Sequence, residues 1–323
     1  GVDGDQPRQT TSCLTDECLQ RGDHGFWDFN TGRITPEDYG ACNRWDWNYE
    51  NIRKINIFLQ NIDGVPVEGE EVEELKSLKA EARYLRARAY GDLLNYYSWW
   101  EGDQNGVPLI LEPFELDEDW GVQRASYDEV LSFIVSELDA AKNDVPAQRP
   151  DSEWGRVNKG AGMALKARHL LYAASKRHNP EGNMGEWQAA SDAAKDVIDL
   201  GLYELLPVET YQDYAQIWLK TRNSELIFVK PYHPEYVPKN WLDKMNSPNG
   251  FLGWGGNNPT QDMVDAYEME DGTGIFEPGS GYSDQNPYVN RELRFYANIV
   301  YNGRMYRGRE IEAFVPAEGA DVA

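Results

Sequence analysis

The sequence predicts a mainly α fold, in which tetratricopeptide-like helical hairpins carry a large, irregular, loop-rich region. Three observations predict it. Apolar residues recur at spacings of three and four through five stretches between Trp45 and Gly201, each the mark of a helix with one buried face. The later four stretches hold the alanines, and all five follow one another closely, as stacked hairpins do. After residue 203 the period gives way to Pro, Gly and Asn interspersed with aromatic residues.

Residues 1–43 read as loop, with Gly, Asp, Thr and Cys and no sustained period. Residues 44–203 read as the hairpins. The first helix carries Trp45, Tyr49, Ile52, Ile55, Leu59 and Ile62 and breaks at Asp63-Gly64-Val65-Pro66. The second places Leu75, Leu78, Ala82, Leu85, Ala89 and Leu93 on one stripe, with Glu and Arg opposite. Ser126, three positions before Glu129, makes a capping box for a third helix through Val130, Ile134, Leu138 and Ala141. A fourth starts near Lys159 and holds Ala164, Leu165, Arg168, Leu171 and Ala174. The fifth runs through Trp187, Ala190, Ala194, Val197 and Ile198 to Gly201, a C-terminal cap. In residues 204–323, Glu225–Val229 reads as a short buried strand and Arg291–Val300 as another. A short helix with Met263, Val264 and Tyr267 follows Pro259. The three segments are expected to form a single domain over residues 1–323.

The 323-residue chain carries 55 acidic and 31 basic residues, a net charge of −24. Such a surface repels nucleic acid and anionic headgroups, and no Lys/Arg block offsets it. A neutral ligand, or a neutral or basic protein surface, suits it better. No run approaches the roughly 18 apolar residues of a membrane span. The start, Gly1 to Gln9, lacks the features of a signal peptide, so any export signal is expected to have been removed. Cys13, Cys18 and Cys42 form no CxxC pair and have no His at zinc spacing. They allow one local disulfide and argue against a metal.

Catalytic patterns are absent: no GxSxG, HExxH, P-loop or complete GxGxxG occurs. His24, His169, His178 and His233 share no helical face, and Asp3 and Asp5 lack the rest of a calcium loop. Asp16 and Glu17 are adjacent carboxylates, but sequence neighbours need not face one substrate. Neither a catalytic residue nor a cofactor is expected. The informative excess is aromatic: 11 Trp, 19 Tyr and 10 Phe, several in segments that do not read as core. Aromatic faces left on loops are costly unless they bind something.

Several segments together resemble the SusD/RagB family. They are Glu81-Ala82-Arg83-Tyr84-Leu85-Arg86-Ala87 with Asp92-Leu93, then Gly106-Val107-Pro108-Leu109-Ile110, and Arg156 to Ala161 with Leu165 to Arg168. Ser224 to Phe228 and Pro259 through Tyr267-Glu268-Met269 to Asp271-Gly272 follow in the family's order. Physically, Ala82 and Ala89 allow close helix approach, while Arg83 and Arg86 can bond carbonyls or carboxylates. The resemblance implies tetratricopeptide-like hairpins docking on a SusC-like TonB-dependent transporter, and a loop face that binds an oligosaccharide or polysaccharide. It also implies a lipid anchor on an N-terminal cysteine ahead of this chain, on the extracellular face of the outer membrane. Further helices are implied beyond residue 323.

Thr15-Asp16-Glu17-Cys18-Leu19, followed by Trp27 and Asn30, is similar to the starch-binding member of that family. There the Trp stacks on sugar rings and the Asn bonds hydroxyls; Arg8 matches an upstream sugar-contacting Arg, and Trp254 a second stacking residue. Tyr236 and Trp241 are further candidates among the loop aromatics. The chemistry suits sugars independently, since C–H faces stack on indole and hydroxyls pair with amides or guanidinium groups. The expected function is non-enzymatic glycan capture. A peptide-binding RagB-type receptor, or a tetratricopeptide scaffold without a small ligand, is the alternative.

Overall fold

The computed structural model describes residues 11–21, 26–35, 43–99, 101–114, 117–118, 121–231 and 242–313. In chain order its elements are β1 (Cys18–Gln20), α1 (Phe26–Asn30), α2 (Trp45–Ile62), α3 (Glu71–Tyr97), α4 (Tyr127–Ala141), α5 (Lys159–Ala174) and α6 (Met184–Asp199). Then come α7 (Tyr211–Leu219), α8 (Leu242–Asn246), β2 (Asn257–Pro259), α9 (Gln261–Ala266), α10 (Leu293–Asn298), β3 (Met305–Tyr306) and β4 (Arg309–Glu310). The fold is mainly α, as the sequence predicts. Contacts gather the chain into two compact units: a helical one, Asn43–Leu205 with Arg222–Pro231, and a loop-rich one from Gly1–Cys42, Leu206–Thr221 and Tyr232–Ala323.

In the helical unit α2 packs on α3, α3 on α4, α4 on α5 and α5 on α6. The 27-residue α3 is its axis: Ala87, Tyr90, Leu93 and Leu94 are fully buried against Val130, Ile134 and Leu138 of α4. Small residues set the spacing. A Cβ on Gly91 would lie 2.2 Å from His169 Nε2, so glycine is what lets α5 approach α3. The Tyr90 hydroxyl donates to the Ile110 carbonyl and accepts from the Ile110 amide, both at 2.7 Å, pinning the segment after α3. The Ser126–Glu129 capping box starts α4 as the sequence predicts, and Asn158 caps α5.

Arg83 and Arg86 of α3 act structurally. Arg86 Nε donates to the buried Glu137 carboxylate at 2.9 Å and its Nη1 to Asn56 Oδ1 at 2.9 Å, with Arg83 at 3.6 Å from Glu137. Arg149, 4% exposed, reaches Glu81, Glu153 and Ser77, while Arg156 reaches Glu74, Glu81 and Glu153. These bonds tie the loop before α5 to α3.

Other expectations fail for identifiable reasons. The buried face of α5 is Gly160, Ala161, Gly162, His169, Ala173 and Ala174, while the expected Leu171 is 49% exposed. Close packing selects small residues, and apolar periodicity weights large ones. On α6 only Ala190 and Ala193 are buried, and the expected Trp187 and Ile198 are exposed. Residues 225–229 have no ladder partner among the described residues. Asn158 Nδ2 bonds the Ile227 carbonyl at 2.8 Å, and Phe228 meets Tyr84 edge-on at 5.7 Å, so side-chain contacts replace strand pairing. The strand expected over 291–300 is α10; its β character is confined to an Arg291–Met269 bridge.

His169 gives the helical unit a pH dependence. Burial, then the Arg168 cation, lowers its pKa to about 4. The unfolded imidazole, near pKa ~6.5, takes up its proton first, so this stability is complete above that pH and is lost as pH falls through about 4. The expected loss is about 2 kcal/mol at pH 5 relative to pH 7. Denaturant titrations of the wild type and His169→Gln across this range test it: the variant should lose less, and parallel loss in both would exclude His169 as the source.

In the loop-rich unit, β1 pairs antiparallel with β2 and β3 with β4. The core is aromatic: Phe295 and Tyr267 are buried with Ile299, and Tyr288, Tyr296 and Tyr301 pack around them. Arg291, 2% exposed, sits at its centre. Its guanidinium donates to the carbonyls of Val264 and Tyr267, each at 2.7 Å, of Pro287 at 3.0 Å and of Glu268 at 3.4 Å. Phe295 lies 4.7 Å from its central carbon. Carbonyl dipoles and ring faces, rather than a carboxylate, hold this cation.

Candidate ligand-binding site

The loop-rich unit holds a cavity of about 880 Å³. One wall is the β1–β2 ribbon, in register Cys18↔Pro259, Leu19↔Asn258 and Gln20↔Asn257. The ribbon ends are fastened by Arg21 N–H to the Gly256 carbonyl at 2.8 Å and Thr260 N–H to the Glu17 carbonyl at 3.0 Å. A second wall comes from α9, α10 and the chain after it, with Met263, Tyr267, Asn298 and Tyr301. Asn246 from α8 and the Asn257–Asn258 pair add planar amides.

Burial raises the pKa of both cavity phenols, Tyr267 and Tyr301, so each keeps its proton at neutral pH. Asn298 Nδ2 donates to the Tyr267 hydroxyl at 3.1 Å, leaving that O–H proton to donate elsewhere. Asn257 Nδ2 donates to Asn246 Oδ1 at 2.6 Å, and Asn258 Nδ2 to the Gly255 carbonyl at 3.0 Å. Among the described residues the lining is amides, phenols and apolar patches, with Glu17 its one charged side chain.

Trp254 stands beside this cavity on a loop that glycine makes possible. Its neighbour Gly255 lines the cavity, while Trp254 itself is 39% exposed with the Lys244 ammonium 5.2 Å from its ring. The loop folds onto α8 through Trp254 N–H to the Lys244 carbonyl at 2.8 Å and Gly256 N–H to the Met245 carbonyl at 2.6 Å. A Cβ on Gly253 would lie 1.9 Å from the Ser247 backbone oxygen.

The other expected contact residues fare differently. Asn30, at the end of α1, is exposed and its Nδ2 donates to the Cys13 carbonyl at 2.9 Å, bracing the N-terminal loop. Trp27 falls within α1, but its side chain lies outside the described residues, as do Arg8, Tyr236 and Trp241 entirely. Of the six expected contact residues, the structure thus describes the side chains of Asn30 and Trp254. Sequence reading missed Asn246, Asn257, Asn258, Asn298 and Tyr301. The Gly-Gly-Asn-Asn-Pro run over 255–259 was a usable signal for two of them; the others depend on folding.

A second cavity, of about 340 Å³, lies in the helical unit between residues 148–158, Tyr203 and residues 222–229. Its guanidinium groups are engaged: Arg149 and Arg156 pair with glutamates, and Arg222 pairs with Asp151 and lies 5.0 Å from the Trp154 ring. Trp154 Nε1 and Tyr203 Oη are buried there with no hydrogen-bond partner. Among the described residues no group of His, Cys, Asp and Glu is arranged to hold a metal.

The chain thus joins in sequence a unit of helical hairpins and an irregular unit whose cavity is lined by amides and phenols. Family comparison gives it an identity. Residues 6–171 match the SusD-like model described as starch-binding associating with outer membrane, and residues 216–322 match the SusD family model. The chain belongs to the SusD family. It is similar to a SusD-like protein of Bacteroides fragilis, at 29% identity and TM-score 0.77 over 94% of this chain and 58% of that one. A SusD-like carbohydrate binding protein of the same organism matches at 25% identity and TM-score 0.75, over 94% of this chain and 55% of that one. SusD-like protein P25 of Formosa agariphila is 27% identical over 197 residues, 60% of this chain and 33% of that protein. The chain thus spans little more than half the length of these structural relatives. Among the described residues no helix is long and apolar enough to cross a membrane.

Proposed function

We propose that this chain is the glycan-capturing part of a cell-surface receptor, which binds an oligosaccharide or polysaccharide and passes it to a SusC-like TonB-dependent transporter. The observation that carries the reading is the 880 Å³ cavity, whose amides and neutral phenols match the paired donors and acceptors of sugar hydroxyls. Trp254, on the adjoining loop, supplies an indole face for a sugar ring. Trp27 and Arg8 extend this surface by the family resemblance, Tyr236 and Trp241 as loop aromatics. Asn30 braces the N-terminal loop through the Cys13 carbonyl and keeps a second N–H and its carbonyl oxygen for a ligand.

The transporter partner belongs to the same reading. On the helical unit Trp47 and Leu85 line an apolar groove of about 250 Å³ and are 52% and 45% exposed, a surface suited to protein contact. A lipid anchor upstream would hold the receptor at the outer surface. Chemistry on the glycan is not part of the proposal: among the described residues Glu17 is the one carboxylate on the cavity wall, whereas glycoside hydrolysis ordinarily needs two.

A glycan array probed with the full-length protein tests the reading. Binding to a defined class of glycan, with no product released on prolonged incubation, is the expected result. Binding to a peptide library with an empty glycan array would transfer the site to a peptide ligand. Product formation lost on Glu17→Gln would make the protein an enzyme.

A further inference from the structure

We propose that Cys13 and Cys18 are the site of an intrachain disulfide that staples the cavity wall. Their Sγ atoms lie 3.0 Å apart, across a turn with four residues between them. The turn is preorganised. Thr15 N–H and Thr15 Oγ1 both donate to the Ser12 carbonyl, at 3.1 and 2.7 Å, and Glu17 N–H donates to Thr15 Oγ1 at 3.1 Å. Sulfurs so placed need only a small side-chain adjustment to reach the ~2.05 Å bond length. The family's association with the outer membrane puts the chain beyond the reducing cytoplasm.

The two cysteines divide the chemistry by exposure. Cys18 is half-buried and Cys13 fully buried. The Cys18 thiolate attacks the disulfide of an oxidising thiol–disulfide oxidoreductase, forming a mixed disulfide and expelling one thiolate of the oxidant. Cys13, deprotonated, then attacks Cys18 Sγ and releases the second. Two electrons and two protons leave the cysteine pair, and the oxidant ends as a dithiol.

The bridge joins parts that shape the ligand cavity. Ser12, Glu17 and Cys18 line it, Cys18 is in register with Pro259, and the Cys13 carbonyl anchors Asn30. The Cys13 thiol lies 3.2 Å from Asn257 Oδ1, another wall atom. Oxidation removes that proton, leaving Asn257 Oδ1 able to accept from a ligand instead. The bond itself does not rest on the ligand being a sugar.

Mass mapping of the full-length protein, exported to an oxidising compartment and alkylated without reductant, tests the proposal. Trypsin leaves both cysteines in one peptide, residues 9–21, which should run two hydrogens lighter than the dithiol and resist alkylation until reduced. Cys42 should be alkylated without reduction. Alkylation of Cys13 and Cys18 before reduction, or a bridge from either to Cys42, would overturn it. Reductant should also lower the melting temperature of the wild type but not of Cys13→Ser/Cys18→Ser; equal behaviour of the two would remove the stapling role.

Discussion

Arg291→Met is expected to be the most damaging single substitution in the loop-rich unit, costing about 3–5 kcal/mol of stability. Methionine fills much of the same space, so the loss comes from polarity rather than from a cavity. The carbonyls of Val264, Tyr267, Pro287 and Glu268 would lose a charged donor in a site 2% open to water. Each buried acceptor stripped in this way costs about 1–3 kcal/mol, partly recovered as the loops relax. Arg291→Lys keeps the charge but cannot span four acceptors set around a planar fork, so it should fall between wild type and methionine. Chemical denaturation of the three proteins checks the order. A methionine variant within ~1 kcal/mol of wild type would mean that water or backbone movement satisfies these carbonyls.

Gly253→Ala is expected to abolish most ligand binding while the helical unit keeps its stability. The added methyl would sit 1.9 Å from the Ser247 carbonyl oxygen and 2.4 Å from its carbon, backbone atoms that no side-chain rotation can clear. The loop from Pro248 to Gly256 must therefore move, taking Trp254 and the start of β2 with it. Losing one stacking platform costs about 0.5–1.5 kcal/mol beyond its burial, and displacing the ribbon beside it adds to that. A loss of binding of ten-fold or more is the expected result by calorimetric titration. Trp254→Ala should lose less, because it spares the ribbon. Unaltered affinity in both variants would detach this loop from ligand recognition.

The helices were legible because their signals are local. The Ser126–Glu129 box, the break at Asp63-Gly64 and the stop at Gly201 depend on neighbours in the chain, and all appear in the structure. Burial on α5 and α6 was less legible, because it depends on how closely other helices approach; Gly160, Ala161 and Gly162 carry little apolar weight yet form the contact face. Arg291 illustrates the same limit. In sequence it opens an expected strand, and only folding surrounds it with four carbonyls. The site divides likewise. Trp254 could be named from its glycine-rich loop and its family resemblance, whereas Asn298 and Tyr301 reach the cavity through the packing of α10. Asn30 is also held by a bond from its amide nitrogen to the Cys13 carbonyl, which no spacing rule foretells.

The central claim is that a saccharide occupies the cavity beside the β1–β2 ribbon. A crystal structure of the full-length protein with the oligosaccharide selected on the array tests this most directly. The account predicts sugar density in the cavity, with hydroxyls bonded to Asn257, Asn298 and the Tyr301 phenol and a ring stacked on Trp254. Density confined to the helical unit, in the 340 Å³ cavity by Trp154 and Tyr203, would contradict it.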